Sequence, residues 1–180
     1  MRYFLDTEFI EDGKTIDLIS IGIVSEDGRE FYAQRIAAKF NLASDWVGRN
    51  IFPSLEHFDV IKFGRTCQSA GGDLGNRCSS SCPWWSNQAE AIKKFCDPDK
   101  YGRPEFWGYY ADYDWVVLCQ LFGTMMDLPK GWPMYCRDIK QLCDDKGNPR
   151  LPEQGKGEHH ALADARWNKV AWEFLQGGEK

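Results

Sequence analysis

The sequence predicts an α/β domain built around one mixed sheet. Three apolar stretches joined by short turn signals open the chain, the pattern of an antiparallel meander. Helical spacing then alternates with short apolar or aromatic runs, which adds further strands with helices packed on the sheet. The chain has 180 residues, 43% of them hydrophobic and 14% aromatic, enough for one domain with a substantial core. No internal repeat or linker divides it, so residues 1–180 read as a single domain.

Arg2 to Phe9 reads as a buried strand, and Glu11-Asp12-Gly13-Lys14 as the turn after it. Ile16 to Ser25, rich in Ile and Val, is the second strand. Asp27-Gly28 marks a tight hairpin, and Glu30 to Gln34 is the third strand. Asp45-Trp46-Val47 with Ile51-Phe52 predicts a short helix that Pro53 ends. A stretch at about 67–85, rich in Gly, Ser and Cys, reads as an inserted loop. Ser86 is placed to cap a helix over Asn87 to Cys96. Glu105 to Tyr110 is aromatic and predicts a buried strand, with Trp107, Tyr109 and Tyr110 in the core rather than on a base-stacking platform. Asp112-Tyr113-Asp114 opens a helix that Gly123 stops. Met134-Tyr135-Cys136 predicts a short strand and Arg137 to Asp145 a helix. Lys146 to Glu158 is a polar loop. The last helix is expected from near His159 to Gln176, ended by Gly177-Gly178.

A net charge of −5 and a pI of about 5.2 exclude a general nucleic-acid coat protein. They leave local binding open, because clustered acids that hold cations count here as negative charge. Between Val60 and Arg103, seven basic residues face only four acids, which makes this stretch either solvated surface or a substrate path. The longest apolar run, Ile19 to Val24, is too short to span a bilayer. Acids appear by position 6, which argues against a signal peptide. Seven cysteines without an export signal are expected to be mostly reduced thiols in a cytoplasm.

The chemistry centres on Asp6-Thr7-Glu8. Side chains two apart on a strand share a face, so Asp6 and Glu8 project together. Adjacent carboxylates repel, and a divalent cation relieves that; oxygen ligands suit Mg²⁺ or Mn²⁺. The plainer reading is a strand end whose two acids are hydrated. Asp114 starts a helix after the aromatic strand, and Asp112 competes with it as a ligand, which would leave Asp114 as a cap. His159 stands five residues before Asp164, in the mobile run-up to the last helix.

With these motifs in order along the chain, the sequence resembles the DEDD 3′–5′ exonucleases of the RNase H-like fold, in the subgroup with a catalytic histidine. Asp6 and Glu8 match the Asp-x-Glu motif, Tyr113-Asp114 the aromatic-Asp step, and His159 with Asp164 the last motif. Within that group it resembles the RNase AS family of polyadenylate-preferring exoribonucleases over nearly the whole chain. The matching residues include Asp6 to Gly13, Trp46-Val47, Leu118 to Leu121, Pro149-Arg150 and Asp164-Ala165-Arg166. The Cys-rich loop and His160 depart from that pattern. The resemblance implies hydrolysis of single-stranded RNA from its 3′ end, and a homodimer. Two metals, Mg²⁺ or Mn²⁺, would be held by Asp6, Glu8, Asp164 and Asp114, with Asp6 bridging. His159 would take the proton from the attacking water, a task that suits an ordinary imidazole pKa of about 6.5. The Thr7 backbone and Glu8 would recognise the 3′-terminal ribose. Phe9 and Trp46 would stack on bases.

Three other readings compete. One is a DNA exonuclease of the same fold, and a second is a nucleic-acid-binding module without activity. The third is an interaction protein organised by zinc at Cys67, Cys78 and Cys82, with His57 as a fourth ligand. Reduced thiols in a loop are the alternative for those cysteines, while Cys96, Cys119, Cys136 and Cys143 read as core.

Overall fold

The computed structural model describes residues 1–35, 38, 40–55, 88–155 and 157–177. The inserted loop, the expected cap Ser86, and His57, Cys67, Cys78 and Cys82 lie outside the described residues. So do the basic residues Lys62, Arg65 and Arg77.

The chain forms the expected mixed sheet, five strands in the order β3-β2-β1-β4-β5. Strands β1 (Arg2–Glu11), β2 (Ile16–Ser25) and β3 (Glu30–Gln34) make the antiparallel meander. Strands β4 (Glu105–Gly108) and β5 (Arg137–Asp138) extend the sheet in parallel beyond β1. Helices flank it: α1 (Asp45–Asn50), α2 (Gln88–Phe95), α3 (Pro98–Tyr101), α4 (Asp112–Phe122), α5 (Ile139–Asp145) and α6 (Ala161–Leu175). This layout is consistent with an RNase H-like fold.

Alternation along β1 divides the core. Tyr3 and Leu5 pack with Ile21, Ile23 and Phe106 against Val117 and Leu118 of α4. Phe4 faces the other way, with Trp107, Ile139 of α5 and Ala171 of α6. Both clusters are almost dry, and truncating a side chain such as Leu5 to Ala would cost about 2–5 kcal/mol. A third cluster of Ile10, Ile19, Val47, Ile51 and Leu55 seats α1 on the meander. It exists because the β1–β2 ladder shifts register between Glu8 and Phe9. Past that bulge Leu18, not Ile19, packs with Ile21 and Ile23, and Ile19 turns to meet Ile10.

Two local features position the site. Strand β4 pairs with β1 only over Arg2 to Phe4. From Leu5 onward that edge of β1 is met by side chains: Asn168 Nδ2 donates to Leu5 O at 2.8 Å, and the Thr7 N–H donates to Asp114 Oδ1 at 2.7 Å. Second, the start of α6 lies directly on Gly22, the β2 partner of Asp6. A Cβ on Gly22 would stand 2.3 Å from Ala161 O, so only glycine admits the helix this close.

Several expected boundaries move. Strand β4 stops at Gly108, because Tyr109 and Tyr110 turn the chain and Tyr110 has a φ of 55°. Tyr110 is 63% exposed and is no core residue, whereas Trp107 is buried. The strand expected at Met134 to Cys136 lies at Arg137–Asp138 instead. Met134 and Tyr135 are exposed and have no face to bury; pairing starts only where Arg137 comes alongside Trp107. Helix α5 accordingly begins at Ile139, with the Asp138 carboxylate accepting from the Gln141 N–H at 3.0 Å as its cap. Pro53 does not end a helix but sits inside a short 3-10 turn, Phe52–Ser54, that follows α1. Helix α6 starts two residues after His159. Cys96, Cys119, Cys136 and Cys143 are free thiols; all but half-buried Cys136 are fully buried. Among the described residues, no helix is long and apolar enough to cross a membrane.

Candidate active site

The site forms where β1 loses its parallel neighbour. Asp6 and Glu8 project toward α6, and Thr7 between them points to the opposite side. Helix α6 brings Asp164 over the strand from its first turn. Asp6, Glu8 and Asp164 can each place one carboxylate oxygen so that all three lie within 4.8 Å of one another. The residue types, the spacing and the Gly22 contact together account for the cluster.

Asp114 arrives from α4. Its Oδ1 accepts from the Thr7 N–H at 2.7 Å and from Thr7 Oγ1 at 2.6 Å, which fixes the carboxylate against the strand. It is 6% exposed, whereas Asp112, the competing acid, is exposed to solvent. Asp114 stands outside the close trio but near enough to act on Asp6 electrostatically.

The electrostatics are those of crowded acids, two of them buried and two half-buried. Burial, followed by the charges of Asp114, Glu8 and Asp164, holds Asp6 well above the usual carboxylate range. Glu8, 8% exposed, is pushed up to about 8, first by burial and then by the charges of Asp164 and Asp114. Asp114 is raised by burial, against the hydrogen bonds from Thr7. Asp164 is raised by burial, against hydrogen bonds from Gln154 and from the His159 N–H. Among the described residues no Lys or Arg forms an ion pair with any of the four. An all-oxygen donor set under mutual repulsion, without a protein cation to relieve it, fits a hard divalent ion.

The run-up to α6 is tied at several points. The His159 N–H donates to Asp164 Oδ2 at 3.1 Å, and the His159 ring stands edge-on to Trp46 of α1 at 5.0 Å. His159 has a φ of 66°, unusual for any residue with a Cβ. His160 stacks on Tyr32 of β3 at 4.6 Å. Trp46 is 54% exposed beside the histidine, and Phe9 makes an edge contact with half-exposed Tyr113.

Four residues not singled out from the sequence also shape the site. Gln154 donates from Nε2 to Asp164 Oδ1. Asn168 is buried on α6, Gly22 admits that helix, and Ser54 Oγ donates to His159 O. Gly22 alone had a sequence signal, a glycine inside an apolar strand. The others depend on contacts between residues more than a hundred positions apart, or, for Gln154, on an unpatterned loop. A cavity of about 220 Å³ opens beside the acids and is lined by Asp6, Tyr109, Gln154, His159, Asp164 and Trp167, among others.

Comparison with known proteins places the chain in a family. Two relatives from Mycobacterium tuberculosis, 3′-5′ exoribonuclease MT2234.1 (strain CDC 1551 / Oshkosh) and 3′-5′ exoribonuclease Rv2179c (strain ATCC 25618 / H37Rv), are each 40% identical over 166 residues. The alignments cover 92% of this chain and 88% of each relative. The model of the Rv2179c-like 3′-5′ exoribonuclease domain matches residues 1–176. With that span and that identity, the chain belongs to the Rv2179c-like 3′-5′ exoribonuclease domain family.

Proposed function

We propose that the protein is a metal-dependent exonuclease that hydrolyses single-stranded RNA from the 3′ end and releases nucleoside 5′-monophosphates. The observation that carries this reading is the trio Asp6, Glu8 and Asp164 within 4.8 Å, with the His159 backbone N–H bonded to Asp164 and His159 lining the same cavity as Asp6 and Asp164. Family membership supports the direction and the RNA substrate. Asp6, Glu8 and Asp164 would hold one Mg²⁺ or Mn²⁺, and Asp6 with Asp114 a second. When bound, such ions polarise the attacking water and stabilise charge at the phosphate and leaving oxygen.

The chain's own groups do the rest. A ring nitrogen of His159 accepts the proton of the attacking water as the bond to the terminal phosphorus forms. The bond from phosphorus to the O3′ of the penultimate ribose breaks, and that oxygen takes up a proton from solvent to become the new 3′-OH of the shortened strand. Thr7 keeps Asp114 in place, the Thr7 backbone and Glu8 take the terminal ribose, and Phe9 and Trp46 offer ring faces to bases. Preference for polyadenylate and a homodimer belong to the same reading, on the resemblance to the RNase AS family; a cytoplasmic setting rests on the cysteine content, and one domain over residues 1–180 on the lack of a repeat or linker.

The test is degradation of 5′-labelled single-stranded poly(A), mixed RNA and matching DNA with Mg²⁺ or Mn²⁺, beside Asp6→Ala and His159→Ala proteins. A ladder shrinking from the RNA 3′ end, absent in both variants and in EDTA, is the expected result. Equal cutting of RNA and DNA would remove the substrate assignment. RNA binding without cleavage would replace the enzyme by a binding module.

A further inference from the structure

His159 is the one proposed participant that does not sit on a strand or helix. Its backbone occupies the left-handed region, with a φ of 66°, where a side chain is disfavoured unless its surroundings enforce the geometry. What enforces it comes from the other side of the cleft. Ser54, the last residue of the 3-10 turn after α1, donates from Oγ to His159 O at 2.6 Å. The same hydroxyl lies 2.7 Å from Ile51 O, but a hydroxyl has one hydrogen to give. Ile51 O also accepts the Ser54 N–H at 3.0 Å, so the one hydroxyl hydrogen is shared between two carbonyls, and the shorter approach, 2.6 Å, is the one to His159. Eight residues earlier, Trp46 sets its ring edge-on to the imidazole. The segment carrying both residues is anchored on the meander by Val47, Ile51 and Leu55.

We propose that Ser54 is a positioning residue for the reaction: its hydroxyl clamps the His159 carbonyl and thereby aims the imidazole over the carboxylate trio. The inference rests on His159 acting as the proton acceptor. Ser54 touches neither substrate nor metal ligand and acts through the histidine alone. Loss of its hydroxyl should therefore lower turnover without weakening capture of RNA.

The test is a double-mutant cycle on the full chain with 5′-labelled single-stranded RNA and Mg²⁺, in single and multiple turnover. Ser54→Ala should lower kcat by about 10- to 100-fold, the penalty of a misaimed group, while KM stays within about twofold. Ser54→Thr keeps the hydroxyl and should restore kcat. In a His159→Ala background, where prolonged single-turnover incubation at high enzyme concentration reads the residual cleavage that a multiple-turnover ladder does not show, Ser54→Ala should have no further effect, because the group it aims is gone. A loss of equal size in both backgrounds would overturn the proposal, as would a rise in KM in place of the fall in kcat, or failure of Ser54→Thr to restore turnover. A large loss in His159→Ala with none in Ser54→Ala would remove Ser54 and leave the histidine's role standing. Full activity in His159→Ala would remove both.

Discussion

Four crowded acids, Glu8 and Asp114 buried and Asp6 and Asp164 half-buried, with no Lys or Arg paired to them among the described residues, should make the metal-free protein least stable where they ionise. Glu8 allows the size to be worked out. Folding raises its pKa from 4.5 to about 8, so the folded chain binds that proton more tightly than the unfolded chain. The resulting stability is fully present below the unfolded value and is lost as pH rises through about 8. At about 1.4 kcal/mol per pH unit the interval is worth at most ~5 kcal/mol, since the acids share their mutual repulsion. Asp6, Asp114 and Asp164 are raised too and act in the same direction. Asp27, held near 2 chiefly by the Ser25 hydroxyl, and Glu30, lowered by Arg166, act below this window and add no slope within it. The assay is urea unfolding followed by tryptophan fluorescence, in EDTA and in Mg²⁺, at about pH 5 and about pH 9. In EDTA the stability should fall by several kcal/mol between the two. Mg²⁺ should abolish most of the fall by supplying the missing opposite charge, and should stabilise less at the lower pH, where protons compete with it. Glu8→Gln should flatten the EDTA slope. A metal-free protein whose stability is level or rises across the window, or a Glu8→Gln slope equal to the parent's, would refute the reasoning.

Other perturbations have smaller or sharper signatures. Thr7→Val removes one of the two hydrogen bonds to buried Asp114 with little change of shape; it should cost about 1–3 kcal/mol in urea unfolding. Gly22→Ala puts a Cβ 2.3 Å from backbone that cannot rotate away, so α6 must shift off β2; a loss of about 1–3 kcal/mol or more is expected by thermal unfolding. Its exonuclease activity should fall further than its stability, since Asp164 moves with the helix. Arg166→Met breaks a two-pronged but largely exposed pair with Glu30; the cost should stay below about 1 kcal/mol and shrink with added salt.

The meander is legible because its signals are local: apolar runs, a Gly13 turn and an Asp27-Gly28 hairpin give β2 and β3 with their observed limits, while β1 runs on past the expected Phe9 to Glu11. The acids were legible as a pattern, Asp6 and Glu8 two apart and Asp164 five after His159. The bulge past Glu8 was not, because it is set by which of Leu18 and Ile19 finds room in which core. Strand β5 was misplaced because Met134-Tyr135-Cys136 has the composition of a strand but no neighbour to bury it. Ser54 and Gln154 were invisible for a related reason: a serine in a turn or a glutamine in a polar loop gains its role only from its tertiary partner.

The contacts at the end of the β1 ladder also govern how the protein comes together in time. Thr7 meets Asp114 across 107 positions, Leu5 meets Asn168 across 163, and Ser54 meets His159 across 105. None of these can form from a hairpin or a single helical turn. Each requires closure of a very long loop before it returns any stabilisation, which places the centre among the late events of folding. Nuclease activity in a refolding time course should therefore rise with the slowest phase, after the meander has already restored much of the circular dichroism. A partly folded chain would hold its carboxylates apart, so competence to cut RNA and completion of the fold arrive together.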